Sequence, residues 1–78
     1  MQTYKNLSGS SGIKAYACGE DFIKVQFDDG TIYRYTYASA GRHHVEQMKT
    51  LALAGAGLST FISQHVQTAY ESKKRLQR

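Results

Sequence analysis

The stretch FIKVQFDDGTIYRYTY, residues 22–37, decides the fold because it holds two alternating segments joined by a tight turn. Apolar and polar residues alternate from Phe22 to Asp28 and again from Thr31 to Tyr37. A period of two, rich in aromatic and β-branched residues, is typical of strands. Asp28-Asp29-Gly30 has the composition of a hairpin loop. The stretch therefore predicts a pair of antiparallel strands.

The length of that loop determines which side chains share a face of the hairpin. With a two-residue loop of Asp29-Gly30, the tyrosines would lie exposed on the same face as Lys24. With a three-residue loop and its glycine in the left-handed conformation, Val25 pairs with Tyr33 and Lys24 lies opposite Arg34. A slip of one residue moves every side chain to the other face, so clean segregation favours the second register. That register collects one apolar face: Ile23, Val25, Phe27, Tyr33, Tyr35 and Tyr37.

The remaining elements follow from turn residues and helical spacing. Ile13 to Cys18 predicts an earlier strand, and Gly19-Glu20-Asp21 predicts the turn after it. Ser39 is the predicted N-cap of a helix that ends at Gly55-Ala56-Gly57, and Ser59 is the predicted N-cap of a second helix. Their apolar stripes recur at helical spacing: Val45, Met48, Leu51 and Ala52, then Leu58, Phe61, Ile62, Val66, Ala69 and Tyr70.

The predicted fold is α+β, with a three-stranded antiparallel meander followed by two α-helices packed on one sheet face. We assign residues 1–12 to an N-terminal loop segment, residues 13–72 to a single α+β domain and residues 73–78 to a basic C-terminal tail. The length of 78 residues and the balance of 41% hydrophobic to 21% charged residues fit one small globular domain.

Composition also indicates the cellular setting. Cys18 is the single cysteine, which excludes an internal disulfide and favours a reducing compartment. The residues after Met1 form no apolar signal segment, and no run approaches the length of a membrane span. We therefore expect a cytoplasmic protein that does not contact a membrane.

Several of these residues resemble the KTSC domain, a small family named for its occurrence at the C-terminus of some lysyl-tRNA synthetases. The similarity lies in scattered glycine and hydrophobic positions over about residues 8–70: Ser11-Gly12-Ile13, Val25-Gln26-Phe27, Gly30, Tyr33-Arg34-Tyr35, Gly57, Phe61-Ile62 and Val66. A proline that often follows the third strand in that family is missing here. The resemblance implies the same fold of three strands and two helices, and its link to a tRNA-charging enzyme points weakly toward RNA.

Histidines and the cysteine are the candidates for catalysis or metal binding. His43 and His44 are adjacent, so on a helix their side chains diverge by about 100° and cannot easily share one ion. Glu46 can share a face with His43, but a third ligand would have to come from His65 on the other helix. Cys18 has no base near it in sequence and is typical of a small buried residue. The sequence therefore predicts no catalytic residue, no metal and no cofactor.

Positive charge is the remaining functional signal. The net charge is +4, and the predicted register sets Lys24 across from Arg34 on the polar face of the sheet. We predict a non-enzymatic binding module for nucleic acid or another anionic macromolecule. The predicted contact residues are Lys14, Lys24, Arg34, Lys73, Lys74 and Arg75.

Two other classes of function are compatible with the sequence. A protein-interaction or homo-oligomerising domain would use the apolar Phe22 and Ile32 on the polar face, and a homodimer would suit a chain this short. An enzyme would require Cys18 to meet one of the histidines in a pocket. Base stacking on the tyrosines is disfavoured, because the predicted register turns them toward the helices.

Overall fold

A computed structural model describes residues 1–7, 9 and 11–75 of the chain. In these ranges the backbone forms an antiparallel sheet with the strand order β1-β2-β3-β4-β5. The strands are β1 (Gln2–Thr3), β2 (Ile13–Cys18), β3 (Phe22–Phe27), β4 (Thr31–Thr36) and β5 (Ser72–Arg75). The predicted meander is thus present as β2-β3-β4, and the sheet extends beyond it by one short strand on each edge.

The hairpin between β3 and β4 has the predicted register. Val25 pairs with Tyr33, Ile23 with Tyr35 and Lys24 with Arg34. Gly30 has a φ of 92° and donates its N–H to the carbonyl of Phe27 at 2.9 Å, which closes the three-residue loop. The segregation of apolar from polar side chains therefore identified the register correctly.

The first predicted helix is split in two, and its cap differs from the prediction. Helix α1 (Tyr37–Ala40) is followed by α2 (Arg42–Ala54), with Gly41 at a φ of 92° between them. Thr36 caps α1, because its hydroxyl accepts the N–H of Ser39 while the Ser39 hydroxyl accepts the N–H of Thr36. Ser39 is therefore the third helical residue of a reciprocal capping box and not the N-cap.

The C-terminal end of α2 matches the prediction. Gly55 is left-handed with a φ of 79°, and its N–H reaches the carbonyls of Leu51 and Ala52. A β-carbon at this position would also lie 2.6 Å from that of Lys5. Glycine is therefore required here both by conformation and by the close approach of the N-terminal segment.

The second predicted helix is shorter than its apolar spacing indicated. Helix α3 (Leu58–Phe61) follows Gly57, and Ser59 makes no capping hydrogen bond. The helix then widens into a π-helical turn, Ile62–Val66, and stops. Ala69 and Tyr70, predicted to be helical, lie beyond that turn but still pack against the core. Hydrophobic spacing alone could not distinguish a continued helix from a connection that buries the same residues.

The C-terminal basic residues are the largest correction to the predicted architecture. Lys73, Lys74 and Arg75 were assigned to a tail, yet they form most of β5, which pairs with β4. The N–H of Glu71 donates to the carbonyl of Arg34 at 2.7 Å just before the strand begins. Every residue of β5 is exposed, so the strand lacks the apolar alternation by which strands are recognised in sequence. Residues 76–78 of the predicted tail lie outside the described residues.

The core lies between one face of the sheet and the helices. Its fully buried side chains come from both layers: Ile23, Val25, Tyr35, Val45, Met48, Leu58 and Val66. The N-terminal segment, predicted to be a loop, joins this core through Tyr4, whose hydroxyl accepts the N–H of Leu58 at 3.4 Å. In the part of the chain that the structure describes, no helix has the length and apolar character to cross a membrane.

Candidate nucleic-acid interface

The face of the sheet opposite the helices carries the candidate interface, and we call it the outer face. Strand pairing places Phe22, Lys24 and Gln26 of β3 on this face, together with Ile32 and Arg34 of β4. All of these side chains are partly exposed, whereas the alternate residues on the covered face are largely buried. The outer face is therefore a solvent-accessible sheet surface with cations near its centre.

A shallow depression of about 420 Å³ marks the middle of the outer face. Three cationic side chains, those of Lys24, Arg34 and Lys74, line it together. Lys74 reaches the depression because it pairs with Ile32 on the adjacent strand. The other lining residues are small or apolar: Met1, Ala17, Ile32 and Ser72. Three positive charges converge here, on a sheet surface that no helix among the described residues covers.

Phe22 orders two of these cations. The guanidinium carbon of Arg34 lies 4.1 Å from the centre of the Phe22 ring, and the ammonium of Lys24 lies 5.8 Å from it. The ring in turn lies over Gly19, where a β-carbon would collide with it. A cation held against an aromatic face is attracted by the ring quadrupole, which offsets part of the repulsion between Lys24 and Arg34.

Glu71 neutralises part of the charge on Arg34. Its carboxylate oxygen lies 3.1 Å from Nε of the guanidinium, and both side chains are partly exposed. Among the described residues, Lys24 and Lys74 make no such ion pair. These two lysines are therefore the cations most available to an anionic ligand.

The predicted contact residues divide between the two faces of the sheet. Lys24, Arg34 and Lys74 come together on the outer face. Lys73 and Arg75 pair with Tyr33 and Thr31, so they project on the covered side instead.

Lys14 also falls outside the outer cluster. It is exposed in β2 at the point where the register with β3 shifts, between Ile13 and Ala15. Its carbonyl accepts the N–H of Tyr4, but its side chain does not line the depression. Lys14 was wrongly grouped with the outer face because it lies at this shift in register, where the simple alternation of side chains does not hold.

The histidines form a small aromatic group on the helical side. His44 and His65 have ring centres 5.9 Å apart, and Phe61 contacts both rings. Nδ1 of His44 lies 2.8 Å from the carbonyl of Ala40, which orients the ring. Among the residues that the structure describes, no three His, Cys, Asp or Glu side chains are grouped to hold a metal ion.

Cys18 was predicted to be a small buried residue, but it is exposed at the end of β2, near charged groups on α2. Burial raises the pKa of its thiol, with a further rise from Glu46 and a partial offset from Lys49. Glu46 accepts hydrogen bonds from the hydroxyl of Tyr37 at 2.5 Å and the ammonium of Lys49 at 2.9 Å, which lower the pKa of its carboxyl.

The apolar residues proposed for a protein contact are only partly available. Phe22 and Ile32 are both half-buried, and Arg34 covers one face of the Phe22 ring. The large hydrophobic side chains with most exposure are elsewhere: Met1 at 57%, Leu53 at 62% and Leu7 at 70%.

Comparison of the chain with protein families, curated proteins and solved structures found no significant match. The resemblance to the KTSC domain therefore stays a prediction.

Sequence reasoning missed the contribution of β5 to the outer face. Ser72 and Lys74 line the depression together with residues of the other strands, and Glu71 partly neutralises the charge of Arg34. One available signal was the composition of residues 72–75, since lysine-rich segments are common on edge strands.

Proposed function

We propose that this chain is a non-enzymatic module that binds single-stranded nucleic acid through the outer face of its sheet. The observation that carries the proposal is the convergence of Lys24, Arg34 and Lys74 around one depression. Phosphate contacts by lysine and arginine supply most of the affinity of proteins for nucleic acid without regard to sequence. An open sheet surface also leaves room for an extended strand.

The individual side chains favour contact with the phosphate backbone over reading of the bases. Lysine ammonium groups act as compact point charges, which suits phosphate without fixing a base edge. The guanidinium of Arg34 lies over the Phe22 ring and its Nε is paired with Glu71, so fewer of its donors remain for a bidentate base contact. We therefore expect binding with little sequence preference and a strong dependence on salt.

Fluorescence anisotropy with labelled single-stranded RNA and DNA tests this proposal over a range of salt concentrations. Each phosphate contact contributes a slope of about −0.7 to the logarithm of affinity against the logarithm of salt for single strands. The double variant Lys24→Gln, Lys74→Gln should bind more weakly and flatten the slope by about 1.4, for two lost contacts.

A matched control removes the same amount of charge elsewhere. Lys5 and Arg42 are exposed and lie outside the depression, so Lys5→Gln, Arg42→Gln leaves the outer face intact. This control should retain the salt slope of the unaltered chain. Absence of binding at low salt, or equal losses in the two double variants, would contradict the proposal.

A further inference from the structure

A second cavity lies on the covered side of the sheet, away from the outer face. Its volume is about 320 Å³, and it opens between the tip of the β3–β4 hairpin and the helical segment that begins at Leu58. The aromatic rings of Phe27 and Tyr33 form one side, with their centres 5.4 Å apart. Ligand pockets in proteins begin at about this size, and aromatic walls with a few polar groups are typical of them.

The opposite side of the cavity is polar and comes from the π-helical region. Ser59, Ser63 and Gln67 are four residues apart and all line the cavity, with Ile62 between them. The π-helical turn, Ile62–Val66, lies in the middle of this row. Such turns occur often at functional sites, because the widened backbone redirects side chains. The cavity thus sets neutral hydrogen-bonding groups across from aromatic rings.

Tyr35 adds a hydroxyl group to the cavity wall. Only 1% of this residue is exposed, and its hydroxyl has no hydrogen-bond partner among the described residues. Within those same residues, every fully buried side-chain polar atom is paired, so the Tyr35 hydroxyl must reach solvent. The cavity is lined by Tyr35 and provides that access. A ligand that enters the cavity would replace solvent as the hydrogen-bond partner of this hydroxyl.

Two cations lie next to the cavity on the covered side of β5. The ammonium of Lys73 lies 5.7 Å from the centre of the Tyr33 ring. Arg75 pairs with Thr31 and is close enough to Asp29 to contribute to the lowering of its carboxyl pKa. The hydrogen bond from the N–H of Thr31 to Asp29, at 2.9 Å, is the larger cause of that shift. Positive charge therefore lies at one side of the cavity, next to the carboxylate of Asp29, which also lines the cavity and whose charge Arg75 partly offsets.

We propose that this cavity binds a nucleotide, with its base between the aromatic and polar sides and its phosphate toward Lys73 and Arg75. A planar base contacts Phe27 and Tyr33, while its polar edge meets the hydroxyls of Ser63 and Tyr35. An uncharged aromatic molecule would leave the two cations unused. A simple anion would leave the cavity unfilled.

A free nucleotide and the end of a nucleic-acid strand share this chemistry. The inference uses residues other than those of the outer face, so it does not depend on the proposed function. It would remain valid if the outer face bound nothing, and its failure would leave the outer-face proposal untouched.

Amide chemical-shift mapping by NMR tests the inference with four probes: AMP, adenosine, ribose 5-phosphate and a short 5′-phosphorylated oligonucleotide. AMP at millimolar concentration should shift the amides of Tyr33, Ser63 and Gln67, and adenosine and ribose 5-phosphate should each bind more weakly. Shifts confined to the outer face, or no binding of AMP, would overturn the proposal. Binding of AMP alone identifies a free nucleotide, whereas equal binding of the oligonucleotide identifies a strand end.

Variants connect the shifts to particular contacts. Tyr35→Phe removes a hydroxyl that no described residue bonds, so the fold should persist while AMP affinity falls about tenfold. Ser63 is exposed and lines the same cavity, so Ser63→Ala should also weaken the binding of AMP. The double variant Lys73→Gln, Arg75→Gln should weaken the binding of AMP and leave the binding of adenosine unchanged. Lys24→Gln serves as the control on the outer face, and an equal effect from it would contradict the assignment.

Discussion

The two faces of the sheet differ in what their alternating residues do. On the covered face, Ile23, Val25 and Tyr35 are fully buried under the helices. On the outer face, the intervening Lys24 and Arg34 lie directly opposite each other and are only partly exposed. One face therefore gains free energy from burial, while the other carries a like-charge pair that burial does not compensate.

This contrast indicates which face supplies stability and which face is left for the proposed binding. A chain of 78 residues has little stability to spare, with about 3–5 kcal/mol expected from one core of this size. Substitutions on the covered face should therefore affect folding first, and those on the outer face should affect binding first.

The largest effect is expected from truncating an isoleucine on the covered face. Ile23→Ala removes a fully buried side chain next to the helices and should cost about 2–5 kcal/mol, enough to unfold much of the protein. The matched change on the outer face is Ile32→Ala, which should cost about 1 kcal/mol because that side chain is half-exposed. Urea unfolding measures both, and equal losses would break the distinction between the faces.

The success of the sequence in predicting these faces has a physical basis. Burial of one face imposes a period of two on β3 and β4, so the register could be read from Val25, Lys24 and their partners. The strand β5 is exposed on both faces and carries no such period. The candidate outer site was therefore half predicted: Lys24 and Arg34 were placed, whereas the position of Lys74 required tertiary structure.

The second cavity was beyond the sequence for a related reason. It depends on the π-helical turn and on the exact depth of Tyr35, and neither leaves a pattern distinct from an ordinary amphipathic helix or a core tyrosine. Tyr35 was predicted to be in the core, which is confirmed, but the access of its hydroxyl to the cavity could not be foreseen.

An intermediate effect is expected at alkaline pH from the buried tyrosine. Burial raises the pKa of Tyr35 above its ordinary value of 10, with smaller contributions from Tyr33 and Tyr70. The folded state therefore holds this proton more tightly than the unfolded state. Its contribution to stability is full below pH 10 and is lost as the pH rises further.

Urea unfolding across that pH range gives the test. Tyr35→Phe should flatten the alkaline fall in stability. Tyr37→Phe is the comparison, since the hydroxyl of Tyr37 is hydrogen-bonded to Glu46 at the surface and should contribute much less. A decline unchanged by Tyr35→Phe would show that the buried phenol does not control it.

The smallest effect is expected on the outer face and has the opposite sign. Lys24→Gln removes the like charge across from Arg34 and should stabilise the fold by about 0.3 kcal/mol. The same change should weaken nucleic-acid binding, so stability and affinity would move in opposite directions. Lys14 lies away from the depression, so Lys14→Gln should change neither stability nor affinity. Thermal unfolding measures the stability and fluorescence anisotropy measures the affinity, and an equal effect of the two variants would contradict the prediction.

The edge position of β5 has a consequence for behaviour at high concentration. An edge strand presents unpaired backbone groups on which a strand of another molecule can extend the sheet. In this chain the edge strand has the sequence Ser72-Lys73-Lys74-Arg75. If two copies paired along this edge, each would bring three cations close to those of the other. The repulsion guards against fibrous aggregation, so variants that neutralise β5 should also aggregate faster during storage.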